Sequence, residues 1–192
     1  EPEEPLVDIA IEPWDIQEYV IKRVFDVVFA ASGLFRLMLV IVVIAVAIKL
    51  DSPGPVLYQQ DRTATFGETF PVYKFRTLKP TTGDVDLDID ENRRTPLGDF
   101  LRTTHLDEIP QLWSILTGDM SVVGPRPAIT ELEWEYVDQV SNWRQRWFVK
   151  PGLTGLAQIN DATGHEPRAK LRYDIKYIRD QSLSYDIKII FC

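Results

Sequence analysis

Cysteine and histidine are almost absent from this chain. The single cysteine, Cys192, excludes an internal disulfide, and with only two histidines beside it the soft ligands of a classical zinc site are too few. Basic residues are outnumbered, 21 Lys and Arg against 29 Asp and Glu, and the resulting net charge of −8 argues against nucleic acid as the main partner. Residues 1–18 contain no Lys or Arg while carrying Glu1, Glu3, Glu4, Asp8, Glu12, Asp15 and Glu18, so the basic n-region of a signal peptide is missing. An acidic, proline-bearing linker is the expectation for 1–18, with Trp14 and Tyr19 packing on the domain that follows. The chain opens on Glu1 and stops inside an apolar stretch, Ile187 to Cys192, as a segment of a longer protein would.

The chain is, however, 45% hydrophobic over 192 residues, enough for one compact domain and an extra element. That extra element is residues 19–50. From Val27 to Ile48 the only charge is Arg36, which divides the run into Val27–Phe35 and Leu37–Ile48. Neither half reaches the roughly 20 apolar residues that span a bilayer. A single span would leave Arg36 near mid-membrane, at a cost of at least about 2.5 kcal/mol. Lys22 and Arg23 at one end and Lys49 at the other do not favour opposite sides of a membrane. A helix that enters one leaflet, breaks at Ser32-Gly33 and leaves on the same cytoplasmic face reconciles these facts; a spanning helix is the rival.

Residues 103–127 carry the chemistry. Leu106, Ile109, Leu112, Trp113 and Leu116 form one apolar helical face, and Gly118 is a C-terminal stop. Pro110 is tolerated only in a first turn, so the spacing predicts a helix that starts near His105–Asp107. Asp107 and Glu108 would then point about 100° apart, one to a substrate and one to a metal. Such acids commonly only cap a helix. Downstream, Pro125 and Pro127 stiffen the backbone around Arg126, whose guanidinium suits bidentate capture of a phosphate or, more plainly, a surface ion pair.

His-Leu-Asp-Glu-Ile-Pro-Gln-Leu (105–112) followed by Gly-Asp-Met-Ser-Val-Val-Gly-Pro-Arg-Pro (118–127) resembles the bacterial sugar transferase family, the monotopic polyprenol-phosphate phosphoglycosyl transferases. The likeness runs over about residues 21–190, through Lys22-Arg23-Val24-Phe25-Asp26, Lys49 to Pro55, Tyr73-Lys74-Phe75-Arg76-Thr77, Lys150 to Gly155 and Ala157-Gln158-Ile159-Asn160. The family usually breaks its membrane helix at Ser-Pro, where this chain has Met38-Leu39, and usually has Trp where this chain has Leu156. The resemblance implies transfer of a phosphosugar from a nucleotide diphosphate sugar, a UDP-sugar, to a membrane polyprenol phosphate. Asp107 would be the covalent nucleophile and Glu108 the ligand of Mg²⁺. Arg126 would bind phosphate, supported by Lys74, Arg62 and Arg76, with Asp174 and Gln111 as further support. A metal-dependent nucleotide-sugar diphosphatase and a catalytically inactive membrane scaffold are the alternatives.

The remaining stretches complete the expectation of an α/β chain dominated by helices, with a small irregular sheet and a catalytic domain over 51–192. Val56–Tyr58 and Phe70–Phe75 have strand character, with Pro71 confining the second to an edge. The run Asp84, Asp86, Asp88, Asp90, Glu91 is not a calcium loop, because Ile89 and Thr95 stand where Gly and an acid are required. It reads as a solvated loop. Residues 128–148 predict an amphipathic helix whose Trp143 and Trp147 suit either a core or a membrane interface, and 171–178 another helix.

Overall fold

The computed structural model describes residues 15–79, 93–162 and 166–192. Most of the acidic linker and the Asp84–Glu91 run lie outside them. The fold is helix-dominated, with seven α-helices among the described residues and two small two-stranded sheets. Strands β1 (Leu57–Thr63) and β2 (Thr69–Phe75) form an antiparallel hairpin in which Pro71 faces Asp61 on an outer edge, as its missing N–H requires. The second sheet pairs β3 (Ser121–Val123) with β4 (Gly152–Thr154) in parallel. These strands lie so close that a Cβ on Gly152 would come within 2.1 Å of the Gly124 nitrogen.

Helix α1 (Ile16–Asp51) is 36 residues long and is fastened to the domain at both ends. At the start, Lys22 Nζ lies 2.5 Å from Asp186 and 3.3 Å from the Val123 carbonyl, while Arg23 donates to the carbonyls of Ile115 and Leu116. At the far end, Arg76 donates to Ile48, Ser52 and Pro53. The buried residues of α1 sit towards those ends, at Lys22, Asp26 and Ala30 and at Ile44 and Ile48, with none from 31 to 43. In between, Phe35 (79%) and Leu39 (74%) are exposed, and the helix is long and apolar enough to cross a membrane. The expected break at Ser32-Gly33 is absent: every residue from 16 to 51 is helical. No proline interrupts the hydrogen-bond ladder. Gly33 instead admits a close neighbour, since a Cβ there would meet Leu112 Cδ1 at 3.1 Å.

Helix α2 (Pro96–Thr103) opens on Thr95, whose hydroxyl accepts from Gly98 N at 2.9 Å, with Pro96 in the first turn. A 3-10 turn (Leu106–Glu108) then precedes α3 (Gln111–Thr117), which stops at Gly118 with φ 102°. The dyad therefore lies in that short turn and not in the first turn of one longer helix. Pro110 is the N-cap of α3, and its ring and missing N–H end the preceding turn. The helix expected over 128–148 likewise divides into α4 (Thr130–Gln139) and a 3-10 segment (Trp143–Phe148), separated at Asn142, which has φ 64°. Helices α5 (Leu156–Ile159), α6 (Pro167–Asp180) and α7 (Leu183–Ile190) close the chain.

The main core joins α1, α2, α3, β2 and β3 through Leu101, Ile115, Met120, Val122 and Phe75. A second cluster gathers Trp143, Trp147, Leu171 and Ile175. Both indoles belong to this core: Trp143 and Trp147 are buried and donate to Glu133 at 2.9 and 2.7 Å.

Candidate active site

Asp107 and Glu108 stand on the 3-10 turn behind His105, which holds a left-handed backbone at φ 56°. A non-glycine residue there is uncommon, and such conformations cluster at working sites. Across from the turn, β2 presents Lys74, which faces Tyr58 on β1 in the hairpin register. The turn and the hairpin enclose a cavity of about 490 Å³, lined by Asp107, Glu108, Lys74, Arg76, Arg102 and Arg126 together with Pro55, Leu57, Tyr58, Lys79 and His105.

The two carboxylates are in different states. Arg126 forks onto both oxygens of Glu108, with Nη1 at 3.2 Å from Oε2 and Nη2 on Oε1, and Lys74 Nζ lies 3.1 Å from Oε1. Burial raises the Glu108 carboxyl, but Arg126 and then Lys74 outweigh it and bring the pKa down to about 2. Asp107 is buried and makes no ion pair of this kind among the described residues. Burial pushes its carboxyl above the ordinary value, with the like charge of Glu108 adding and Lys74 and Arg102 opposing. The site thus holds one clamped anion and one more basic, unclamped carboxylate beside it, a disposition suited to a nucleophile.

Four cationic side chains of the cavity lining, Lys74, Lys79, Arg102 and Arg126, accompany the two carboxylates, while the guanidinium of a fifth, Arg76, is turned to the end of α1. In a chain of net charge −8 this concentration of positive charge suits a ligand with several negative charges. Among the described residues no three acidic, His or Cys side chains gather as a metal cage. Mg²⁺ commonly binds through one or two carboxylates plus substrate phosphates, and an ionised Glu108 on the cavity wall fits that mode provided that Arg126 and Lys74 move from its oxygens to the phosphates.

Other residues named from sequence lie elsewhere. Arg62 is off the cavity and donates to the Pro127 carbonyl at 2.9 Å and to Gln60 at 2.6 Å, bracing the loop that carries Arg126. Arg76 lines the cavity while its guanidinium is engaged with the end of α1. Asp174 is buried 3.0 Å from Arg146 and does not reach the cavity. Gln111 is buried at the start of α3 and does not line the cavity, and its amide nitrogen has no hydrogen-bond partner among the described residues.

The sequence profile of the bacterial sugar transferase family matches residues 17–192. The chain belongs to that family. It is 38% identical over 97% of its length to the UDP-glucose:undecaprenyl-phosphate glucose-1-phosphate transferase of Escherichia coli K12, and spans 42% of that relative. It is 37% identical over 91% of its length to the exopolysaccharide production protein PSS of Rhizobium leguminosarum, and spans 93% of it. A third relative is the UDP-N-acetylgalactosamine-undecaprenyl-phosphate N-acetylgalactosaminephosphotransferase of Aeromonas hydrophila, 32% identical over 89% of this chain and 42% of that protein. The chain thus spans about two fifths of the length of most first-ranked relatives.

Within this sugar transferase fold, Tyr58, Lys79 and Arg102 also line the cavity, none of them named as a site residue from sequence, together with His105, which opens the motif. Two of the three had a partial signal. Arg102 ends the capped helix that leads into the dyad, and Tyr58 is the partner of Lys74 once the hairpin register is known.

Proposed function

We propose that this chain transfers a phosphosugar from a UDP-sugar to a polyprenol phosphate, at the cytoplasmic face of a membrane, as a first step of glycan or exopolysaccharide assembly. The observation that carries the reading is one cavity holding an unclamped Asp107, a clamped Glu108 and the cations Lys74, Lys79, Arg102 and Arg126, next to the end of an apolar helix. The names of its relatives supply the donor and acceptor classes.

In the first half-reaction an Asp107 carboxylate oxygen attacks the phosphorus that bears the sugar. The bond from that phosphorus to the bridging oxygen breaks, and nucleoside monophosphate leaves with the electron pair. An acyl-phosphate joins Asp107 to the phosphosugar. In the second, a phosphate oxygen of the polyprenol phosphate attacks the same phosphorus and Asp107 leaves as a carboxylate. No net proton is needed in either step. Repulsion between Asp107 and an anionic diphosphate opposes the attack, and Arg126, Lys74 and Arg102 offset it from the cavity wall. Glu108 would hold Mg²⁺, which supplies further neutralisation of the phosphate oxygens.

Residues 19–50 would be the membrane element and 51–192 the catalytic domain. Because both ends of α1 are held by the same domain, the helix would have to bend within residues 31–43 on entering a membrane in order to enter and leave one face.

Radiolabelled UDP-sugar supplied with and without polyprenol phosphate tests the reading. Label should enter the lipid, with one UMP released per lipid product. Continued release of sugar phosphate into water without lipid would instead indicate a diphosphatase, and no turnover at all a scaffold.

A further inference from the structure

We propose that Arg76 is a positioning residue that holds the end of the membrane helix at the rim of the cavity, so that a polyprenol phosphate leaving the bilayer meets Asp107. The proposal rests on the transferase reading above. One guanidinium makes four hydrogen bonds to α1 and the turn after it: to Ser52 O at 2.7 Å, Ser52 Oγ at 3.0 Å, Pro53 O at 3.0 Å and Ile48 O at 3.3 Å. A cation is favourable there, because the helix C-terminus carries the negative end of the dipole. The guanidinium fork suits simultaneous bonds to Ile48, Ser52 and Pro53, a geometry that a compact ammonium matches less well.

The other end of this link is the dyad. Lys74, two residues before Arg76, lies 3.1 Å from Glu108, and both side chains line the cavity. Phe75 between them is buried in the core and lines the same cavity, so the segment is fixed there. The same short segment therefore carries one contact to the dyad turn and one to the helix end. It is itself pinned by Arg76 N donating to Val56 O at 2.9 Å, and Lys49 Nζ adds a bond to Gly54 O at 2.8 Å. Beside the clamp, Leu50 is 83% exposed, and Pro55 and Leu57 (44% exposed) line the cavity. An isoprenoid chain thus has an apolar approach on this side, whereas the water-soluble donor has no need of it.

The two half-reactions should therefore respond differently to Arg76→Lys, assayed on the full chain in lipid nanodiscs. Nucleoside monophosphate release in a single turnover without acceptor should stay within about threefold of wild type. KM for a long-chain polyprenol phosphate should rise about tenfold or more. Farnesyl phosphate in detergent, which needs no route out of a bilayer, should be used at the wild-type rate. Ser52→Ala, which removes only one of the four bonds, should shift the long-chain KM in the same direction by a smaller factor. Equal loss of both half-reactions, or equal loss with long and short acceptors, would mean that Arg76 is a general structural residue or a phosphate ligand and would overturn the proposal. Absence of any donor half-reaction in the wild type is a different result, and it removes the transferase reading and this proposal together.

Discussion

Arg146 donates from Nη2 to the backbone carbonyl of Arg126 at 2.7 Å. The same guanidinium is buried against two carboxylates, Glu133 at 2.8 and 2.9 Å and Asp174 at 3.0 Å. Asp174 therefore reaches the cavity only through Arg146 and the Arg126 backbone. Removing the buried cation leaves two buried anions, so Arg146→Met should destabilise by about 3–5 kcal/mol. In a chain of this size that is a fall in Tm of roughly 10 °C. Asp174→Asn leaves Arg146 paired with Glu133 and should cost less. Its effect on donor turnover should be non-additive with Arg126→Ala, since both act on one guanidinium. Thermal melts and a double-mutant cycle on the donor half-reaction check this; additive kinetic losses would disconnect Asp174 from the site.

Asp107→Asn keeps the shape of the dyad turn and removes the nucleophilic charge. Release of nucleoside monophosphate should fall at least about 1,000-fold, with or without lipid acceptor, because the first bond cannot form. With wild-type enzyme and donor alone, a phosphosugar adduct should be trapped on the peptide containing Asp107, and two-substrate kinetics should give parallel double-reciprocal lines. Intersecting lines with no adduct would mean direct transfer. Glu108→Gln should slow both half-reactions and raise the Mg²⁺ concentration needed for half-maximal rate.

Local chemistry was the legible part. Gly118 as a helix stop and Pro71 on an outer strand edge follow from residue type and spacing, whereas a site role for Lys74 comes from the family resemblance. The places where Asp174, Arg62 and Arg76 end up depend on long-range partners. Arg146 lies 28 residues from Asp174, Pro127 lies 65 from Arg62 and Ser52 lies 24 from Arg76. No periodicity encodes such pairings, and a basic residue near a phosphate-suited motif looks the same whether it faces ligand or caps a helix. The division of the dyad turn from α3 was implicit in Pro110, but only the preceding left-handed His105 shows that the turn is a separate 3-10 segment.

The dyad also predicts a pH signature. Asp107 must be ionised to attack, and its pKa lies above the ordinary carboxylate value. The acid limb of the donor half-reaction should therefore fall above the pH at which a free aspartate titrates. Lys74→Met removes a charge that lowers Asp107, so it should move that limb to still higher pH. Stability should respond with opposite signs at the two acids. Asp107 is raised in the fold, so its ionisation costs stability as pH rises through its unfolded value towards its folded one. Asp107→Asn should thus raise Tm at pH 7, and the gain should vanish in acid where Asp107 is protonated in both states. Glu108 is lowered to about 2, so its contribution is complete above its unfolded pKa of 4.5 and is lost as pH falls through about 2. Glu108→Gln should remove that part of the acid-unfolding profile. A Tm for Asp107→Asn at or below wild type at pH 7 would contradict the desolvated, unclamped state of the nucleophile.

The two ends of α1 predict a one-sided seating in the bilayer. Arg23 binds carbonyls of α3, and Arg76 binds carbonyls at Ser52 and Pro53, so one domain grips both termini of the helix. A helix spanning the membrane would have to put these grips on opposite sides of a hydrocarbon core about 30 Å thick, which a single domain cannot do. Cysteines placed at Glu18 and at Asp51, in a Cys192→Ser background, should therefore both react with an impermeant maleimide from the cytoplasmic side of inverted vesicles. Both should be protected in sealed right-side-out vesicles until detergent is added. A cysteine at Phe35 or Leu39, in the exposed apolar middle of the helix, should resist labelling from either side and be quenched by lipid-borne probes in one leaflet only. Labelling of Glu18 and Asp51 from opposite sides would establish a spanning helix. It would also require the contacts of Arg23 or of Arg76 to open in the membrane, and the lipid-side role of Arg76 would then have to be abandoned.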